Sequence, residues 1–356
     1  MSYQIGIDTI HLRPTPRLAH TEYCSNAALM RHVTGDPSAG AHGRFYDPSA
    51  GKVRFEDLWA YDFIWSINDG PIDWAAAGRI TDMGHAEFLE GGVDMRQPVE
   101  CPFKDVEEVL AFDAVEEYGL PDFDELVDFY EQHWQKGQKE SFPNQVFTGG
   151  YYKTIVSGAI QSFGWDMLLE AAADRERFAK VLDSFYRRTL FHMQAWAKTS
   201  CEVVIQHDDF VWSQGPFMHP DIYRETIIPR YAELWKVLRE AGKKVLFCSD
   251  ANFDIFVDDI FNAGAHGIIF EPMMDIDTIV EKYGKTHVIV GSKVDARTMA
   301  FHGKDEIRKE IDDTLAIAKD CPGFMFAIGN HLPSNVPVEN ALFYFEYLSE
   351  HWDRGA

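Results

Sequence analysis

The 356-residue sequence predicts a single (β/α)8 barrel of the TIM type with an N-terminal elaboration of helices and loops. Two observations lead to this prediction. In the C-terminal half, short segments that are apolar along their whole length alternate with amphipathic helical segments, which is the pattern of a parallel sheet covered on both faces. In addition, no unit opens with the GxGxxG turn of a dinucleotide-binding open sheet, so a closed barrel is favoured.

Five strand–helix units follow one another in the second half of the chain. The predicted strands are 201–206, 243–248, 266–271, 286–292 and 323–329. The helices that follow them are predicted at about 220–241, 253–263, 275–284, 304–319 and 338–351. Gly242 and Gly264 stand where the first two of these helices are expected to stop.

Earlier parts of the chain supply further strands. The segments YDFIWSI (61–67) and NQVFTG (144–149) are strand candidates, and a long helix is predicted at 174–199. Residues 1–140 are expected to form the N-terminal elaboration and the first strand, and residues 141–356 the main barrel. The chain is therefore predicted to be one domain.

Charge and composition exclude several classes of partner. The 57 acidic and 33 basic side chains give a formal net charge of -24, which repels nucleic acid and anionic membrane surfaces. No stretch approaches the ~20 apolar residues of a membrane span, and the N-terminus lacks the pattern of a signal peptide. The five cysteines are scattered and form no CxxC pair, so we expect reduced thiols and a cytoplasmic location.

Polar residues with chemical potential stand at the ends of successive strands. Chemistry in a β/α barrel is carried out where the C-terminal ends of the strands meet. The residues that follow the predicted strands are Tyr151, Tyr152, Lys153, His207, Asp208, Asp209, Cys248, Ser249, Asp250, Glu271, Ser292, Lys293, Asp295, Asn330 and His331. Each has an ordinary structural explanation, such as a helix cap for Asp209 or Asp250 and a core position for Cys248. Several acids sharing one cavity are costly unless a cation or a substrate needs them, so the set predicts a site.

Several motifs in the same region resemble those of the uroporphyrinogen decarboxylase superfamily, which also contains cobalamin-dependent methyltransferases. The matching segments are HDDFVWSQGPFMHPDIYRETIIPRY (207–231), AGKKVLFCSDAN (241–252), VIVGSKVDAR (288–297) and GNHLPSNVPVEN (329–340). The doubled Asp, the Gly-Pro, the Val-Asp turn and the closing V-P-x-E-N occur in the superfamily's order. The resemblance implies a β/α barrel enzyme.

The departures from the superfamily pattern distinguish between its activities. True decarboxylases carry an Arg-Gln-Ala-Gly-Arg stretch that binds the porphyrin carboxylates, whereas this chain has HLRPTPRLAH at 11–20. We therefore expect that Arg79, Arg96 and the N-terminal arginines do not line the pocket. The resemblance is closer to the methyltransferase branch, which activates a thiol on zinc through a His-x-Cys pair.

Where those relatives hold zinc ligands, this chain has Cys248 and Asp250, followed later by Asn330 and His331. Thiolate, carboxylate and imidazole are all zinc ligands, and catalytic zinc needs three of them. The predicted zinc site is Cys248, Asp250 and His331, with His207 or Glu271 as an additional ligand. The alternative is that the metal has been lost, leaving an acid/base pocket.

The resulting hypothesis is a methyltransferase that passes a methyl group between a small substrate, such as a methoxylated compound, and a separate corrinoid protein. Any corrinoid must come from that partner, because the chain lacks a D-x-H-x-x-G stretch. The predicted catalytic residues are Asp209, Glu271 and Asp295, and the predicted substrate-binding residues are His207, Tyr151, Trp212, Lys293 and Asn330. The alternatives are a decarboxylase-like lyase acting on a carboxylated substrate and a non-catalytic ligand-binding barrel. The sequence leaves a homodimer open.

Overall fold

The computed structural model describes residues 2–40, 54–81, 100–329 and 331–355. Its strands are β1 (Ala19–His20), β2 (Phe63–Ile64), β3 (Val146–Phe147), β4 (Gly149–Tyr151), β5 (Val203–His207), β6 (Lys244–Cys248), β7 (Gly267–Ile269), β8 (Val288–Gly291) and β9 (Phe324–Phe326). Every strand pairing among them is parallel. The predicted (β/α)8 barrel is confirmed.

The helices surround these strands. In the N-terminal part they are α1 (Ser2–Ile10), α2 (Ala27–Thr34), α3 (Phe55–Leu58), α4 (Trp74–Ala77), α5 (Val106–Leu110), α6 (Ala114–Tyr118) and α7 (Phe123–Lys136). In the remainder they are α8 (Ile155–Ala171), α9 (Arg175–Lys198), α10 (Pro220–Ile222), α11 (Ile228–Glu240), α12 (Val257–Ala263), α13 (Ile276–Tyr283), α14 (Ala296–Phe301), α15 (Lys304–Ala318) and α16 (Val338–His351). The helix predicted at 220–241 is interrupted by a π-helical segment, Tyr223–Ile227, between α10 and α11.

The barrel closes through short links between its first strands. Seven strands form one sheet in the order β1-β9-β8-β7-β6-β5-β4, and β2 pairs with β3. β3 and β4 are separated only by Thr148, so they form one barrel position. The amide of Asp62 donates to the carbonyl of His20 at 2.8 Å, which joins β2 to β1 and completes the circle.

The interior and the exterior of the barrel are filled by different sets of apolar side chains. Ala19, Phe63, Ile205, Val290 and their neighbours pack inside the barrel. The alternate residues of the strands face the helices and join a much larger apolar core. Both layers hold the strand ends in fixed positions, which is what a precise site requires.

Helix α1 seals the N-terminal end of the barrel. Ile7 and Ile10 of α1 belong to the interior apolar cluster. Gly6 permits this approach, because a Cβ built at Gly6 would lie 2.1 Å from the carbonyl oxygen of Asp62. The opposite end, where the C-terminal ends of the strands lie, is therefore the open one, and we call it the barrel mouth.

Within the described residues, no helix has both the length and the apolar character needed to cross a membrane.

Candidate functional site

Three side chains with metal-ligand chemistry meet at the barrel mouth. His207 is the last residue of β5, Asp209 follows it by two positions, and Asp250 lies two residues beyond the end of β6. One ligand atom from each of these three residues lies within 4.8 Å of the other two. The side chains of His207 and Asp209 are 19% and 15% exposed, so the group is largely desolvated yet reachable from the mouth.

Asp209 is the central acceptor of this group. Its carboxylate accepts hydrogen bonds from the hydroxyl of Tyr152 at 2.7 Å and from the amide of Asp250 at 3.1 Å, and it lies 3.1 Å from His207 Nε2. Burial by itself raises the pKa of Asp209, but the His207 imidazolium and the hydrogen bonds lower that pKa to about 2. Asp209 is therefore a carboxylate throughout the physiological pH range.

Cys248 lies beside His207 because the two residues are register partners on β5 and β6. Burial opposes a charged imidazole, but the neighbouring Cys248 and Asp209 raise the pKa of His207 well above its usual value. Burial raises the pKa of the Cys248 thiol, with His207 acting in the opposite direction. The His207 imidazole thus lies between Asp209 and the Cys248 sulfur, both of which favour its charged form.

Asp208 turns away from the mouth, since successive strand residues face opposite sides. It accepts hydrogen bonds from the amides of Val156 and Ser157, at 3.0 and 2.6 Å, and from the hydroxyl of Tyr231 at 2.6 Å. These are the first amides of α8, whose own N-cap residue, Thr154, makes no side-chain capping bond. The doubled Asp therefore combines one structural carboxylate with one site carboxylate.

The loop after β6 is held by Glu271. Ala251 has a φ of 72°, in the left-handed region that non-glycine residues rarely adopt. Its amide donates to Glu271 Oε2 at 2.6 Å. This bond stabilises the turn that directs Asp250 toward Asp209, so Glu271, which the sequence suggested as a catalytic residue, contacts the backbone of the site loop.

The grouped side chains fit a divalent metal. Ligand atoms that are each about 2.0–2.2 Å from a zinc ion lie roughly 3.3–3.6 Å apart in a tetrahedral arrangement. The 3.1 Å separation of His207 Nε2 and Asp209 Oδ1 is slightly shorter than this, and the ligand atoms of all three residues lie within 4.8 Å of one another, so small shifts would bring them onto one ion. Of the zinc ligands predicted from the sequence, Asp250 belongs to the group and His207, the additional candidate, belongs to it as well. Cys248 is adjacent to it through His207, whereas His331 lies outside it among the residues that the structure describes.

Tyr151 and Trp212 lie away from the three-residue group. The hydroxyl of Tyr151 accepts a 2.5 Å hydrogen bond from Arg188 Nη1, and its ring stacks on His192 behind the barrel wall. Trp212 is 45% exposed and contacts the rings of Trp165 and Phe217. Trp212 therefore remains a candidate for contact with a ligand at the rim, and Tyr151 serves a buried polar network.

The remaining predicted residues are more peripheral. Lys293 pairs with Asp277 at 2.7 Å. Asp295 caps α14 and pairs with Arg297. The ring of His331 meets that of Tyr23 edge-on at a centroid distance of 6.2 Å. Asn330 and Arg96 lie outside the described residues.

Two arginines of the N-terminal region, Arg17 and Arg79, are paired with acids. Arg17 makes a bidentate ion pair with the buried Asp62, just before β1 and β2, which places it at the sealed end of the barrel. Arg79 pairs with Glu117 at 2.9 Å. Neither guanidinium joins the group at the mouth.

The sequence places both Tyr151 and Tyr152 at the rim and assigns substrate binding to Tyr151, but Tyr152 is the tyrosine that joins the site. Its ring lies 4.3 Å from that of His207, in addition to its bond to Asp209. Gly149, Gly150 and Tyr151 form β4. Because successive residues of a strand face opposite sides, only one of the two adjacent tyrosines can face the mouth. The sequence does not show which of the two it is.

Comparison with known proteins identifies the family of the chain. A family model described as uroporphyrinogen decarboxylase (URO-D) matches residues 152–351, more than half of the chain. The chain belongs to the uroporphyrinogen decarboxylase family. The predicted resemblance to the superfamily is thereby confirmed, and the matched URO-D region contains Tyr152, His207, Asp209 and Asp250.

Two individual proteins illustrate the range of this URO-D family chain's relatives. A uroporphyrinogen decarboxylase from Carboxydothermus hydrogenoformans is 22% identical over 175 residues, which make up 49% of this chain and 48% of that protein. The match thus spans about half the length of this curated relative. The solved structure of a methyltransferase from Methanosarcina mazei is similar with a TM-score of 0.64 and 17% identity, covering 98% of both chains. At this identity the likeness shows a shared fold.

Proposed function

We propose that this URO-D family protein is a methyltransferase that moves a methyl group between a small substrate and a separate corrinoid protein. The observation that carries the proposal is the group of His207, Asp209 and Asp250, with Cys248 beside it, at the barrel mouth. The fold shared with the methyltransferase from Methanosarcina mazei supports the same branch of the superfamily. The corrinoid belongs to the partner in this proposal.

The metal proposed for this site is zinc. His207, Asp209 and Asp250 would hold it, with Cys248 as a further donor close to His207. Bound zinc supplies Lewis-acid polarisation of a substrate atom and stabilises a deprotonated nucleophile. Imidazole must be neutral to bind a metal, so loading displaces the proton that His207 carries in the metal-free protein.

The chain's own residues orient the side chains of the site. Tyr152 and the amide of Asp250 fix the Asp209 carboxylate by two hydrogen bonds, and Asp209 fixes the imidazole of His207 at Nε2. The ring of Tyr152 covers one face of His207 and limits access of water. His207 is therefore held with Nε2 toward Asp209, the orientation in which that nitrogen would bind the metal once its proton is lost.

Methyl transfer is tested with the full-length protein loaded with zinc, a panel of methoxylated compounds and simple thiols, and a corrinoid acceptor or methyl donor. The change in corrinoid absorbance reports transfer. We expect transfer by the wild type and at least a 100-fold loss in Asp209→Ala. Asp221→Ala, which alters the exposed His219–Asp221 pair of the same spacing, is the matched control and should retain full activity. The proposal is contradicted if no methyl transfer occurs with any of these compounds, whether the corrinoid is supplied as the acceptor or as the methyl donor.

A decarboxylase-type lyase is the second candidate, favoured by the curated relative from Carboxydothermus hydrogenoformans. It would require a carboxylated substrate. We expect no release of CO2 from uroporphyrinogen, because Arg17 and Arg79 are paired with acids and neither joins the group at the mouth. Turnover at the rate of a true decarboxylase would favour this candidate instead.

A further inference from the structure

Trp212 stands at the barrel mouth with nearly half of its surface uncovered. The chain has nine tryptophans, all within the described ranges, and Trp212 is the one that is more than a third exposed, at 45%. It lies three residues after Asp209 on the loop that follows β5, so the Cα atoms of these two residues are at most about 11 Å apart. A large apolar ring is therefore held close to the His207 group.

Trp212 packs with two further aromatic side chains. The ring centroids of Trp212 are 5.6 Å from Trp165 and 5.6 Å from Phe217, and those of Trp165 and Phe217 are 5.0 Å apart. We call these three side chains the rim aromatics. Neither neighbour is parallel to the indole of Trp212, since the interplanar angles are 53° and 42°. Among the described residues, no ring is stacked on this indole.

The backbone at Trp212 forms a closed turn. The amide of Trp212 donates to the carbonyl of Gly215 at 2.8 Å, and the amide of Gly215 donates to the carbonyl of Trp212 at 2.9 Å. Gly215 has a φ of 115°, which side-chain-bearing residues rarely adopt. The turn fixes the point from which the indole projects.

The same turn is bonded to the loop that follows β6. The amides of residues 250, 251 and 252 donate in that order to Asp209 Oδ1 at 3.1 Å, to Glu271 Oε2 at 2.6 Å and to the carbonyl of Trp212 at 3.2 Å. Three successive amides thus join the candidate site to the rim aromatics. A binding group whose position relative to a reactive group is fixed in this way is preorganised for one substrate geometry.

We propose that the rim aromatics select the substrate class of this site, an aryl methyl ether. The benzene ring stacks on Trp212, and the methoxy group extends toward the group of His207, Asp209 and Asp250. This inference rests on the proposed methyltransferase function and names its methyl donor. Two aromatic rings attract each other beyond the contribution of their buried area, which a saturated ring does not reproduce.

The packing of the rim aromatics disfavours a methylated ammonium ion as the donor. Such cations are held in aromatic cages, in which the ligand lies between the faces of several rings. The three rim rings are in mutual contact, with centroids 5.0–5.6 Å apart, so no cation fits between them. They offer one exposed ring, which is the surface that a single planar ligand requires.

Transfer from an aryl methyl ether balances with the reduced corrinoid of the partner as co-reactant. The bond between the methyl carbon and the ether oxygen breaks, and the methyl carbon forms a bond with an electron pair of the reduced cobalt. The electrons of the broken bond stay on the oxygen, and the phenolate takes up one proton from water. A phenol has a pKa of about 10, as tyrosine does, so phenolate is a better leaving group than an alkoxide.

Ligand-detected NMR on the full-length protein, without corrinoid, tests the proposal with a matched pair of ethers. Methoxybenzene and methoxycyclohexane have similar size, and only the first has a flat aromatic ring. From saturation-transfer titrations we expect the wild type to bind methoxybenzene roughly three- to tenfold more tightly. Trp212→Leu should reduce this preference to about one, whereas Trp212→Phe should retain part of it. Phe129→Leu, an exposed aromatic position on α7, is the control and should keep the full preference.

The preference compares two ligands on the same variant, so it does not depend on the fraction of folded protein. Equal affinities for the two ethers in the wild type overturn the proposal, as does a preference that persists in Trp212→Leu. Tighter binding of tetramethylammonium than of methoxybenzene also overturns it. Methyl transfer from another donor without any preference for methoxybenzene would refute this inference alone. A preference for methoxybenzene without any methyl transfer would refute the proposed function alone.

Discussion

His207 and Asp209 form a largely desolvated ion pair whose partners are two residues apart, and the same spacing recurs in the exposed pair of His219 and Asp221. The two pairs show how burial changes the outcome of one sequence pattern. At the mouth, Asp209 has a lowered pKa of about 2 and His207 a raised one. At the surface, solvent screens the pair.

Asp209→Asn should destabilise the protein by about 1–3 kcal/mol, because it leaves His207 without its charge partner. The contribution of the carboxylate is present above its unfolded-state pKa of about 3.9 and is lost as the pH falls through about 2. That of His207 is complete below about pH 6.5 and is lost as the pH rises through its elevated pKa. Urea unfolding at pH 5.5 measures the difference.

Asp221→Asn should change the free energy of unfolding by less than about 0.5 kcal/mol in the same experiment. If the two substitutions have equal effects, the His207–Asp209 pair is no stronger than a surface pair.

Cys248 is either a metal ligand or a small core residue, and one substitution distinguishes these two roles. Cys248→Ala should lower the zinc content and abolish methyl transfer while leaving the barrel folded, since the lost packing costs on the order of 1 kcal/mol. Cys201→Ala, equally buried but preceding β5 at the sealed end, is the control and should change neither property. Full zinc content and activity in Cys248→Ala would make Cys248 a core residue.

Asp208 connects two elements, β5 and α8, that are distant in sequence. Because it satisfies the first amides of α8 and the hydroxyl of Tyr231, its loss leaves several buried donors unpaired. We expect Asp208→Ala to lower the free energy of unfolding by roughly 2–4 kcal/mol. Asp295→Ala, which removes the cap of the short helix α14, should cost only about 1 kcal/mol. Equal losses in denaturant unfolding would contradict this role for Asp208.

Helix α1 closes the barrel only because Gly6 lets it approach β2. Gly6→Ala places a methyl group against the carbonyl of Asp62 and the side chain of Val146. We expect a loss of about 1–3 kcal/mol from the resulting displacement. Gly355→Ala, where nothing lies within 4 Å of the added carbon, is the control. A thermal melt in which both variants match the wild type would show that α1 adjusts without cost.

Much of the barrel was predictable from the sequence because its later strands are buried on both faces and therefore read as continuous apolar runs. β6 to β9 fall within the predicted segments, and β5 extends one residue beyond its segment to His207. The helices between these strands also fall within predicted segments, except the short helix α14, which was not predicted. β1 was missed, since only Ala19 and His20 form it and no apolar run marks them. Helix α1 was also missed, because its first turn lacks acidic residues and Gly6 lowers its helical propensity.

The sequence predicted the location of the candidate site better than it predicted which side chains form it. Strand ends brought His207, Asp209, Cys248 and Asp250 to one mouth, as topology requires. The orientation of individual side chains depends on the phase of each strand and on loop conformation. That phase separates Tyr152 from Tyr151, and the left-handed turn at Ala251 brings Glu271 to the backbone. Neither is encoded in residue type alone.

The metal content of the purified full-length protein tests the central claim most directly. After removal of metal by a chelator and reloading with zinc, mass spectrometry of the elements should find about one zinc per chain in the wild type. Asp209→Ala and Asp250→Ala should each bind far less, whereas His331→Ala, outside the three-residue group, should keep full content. The account is contradicted if the wild type binds no zinc. It is also contradicted if His331→Ala loses zinc while Asp209→Ala and Asp250→Ala retain it.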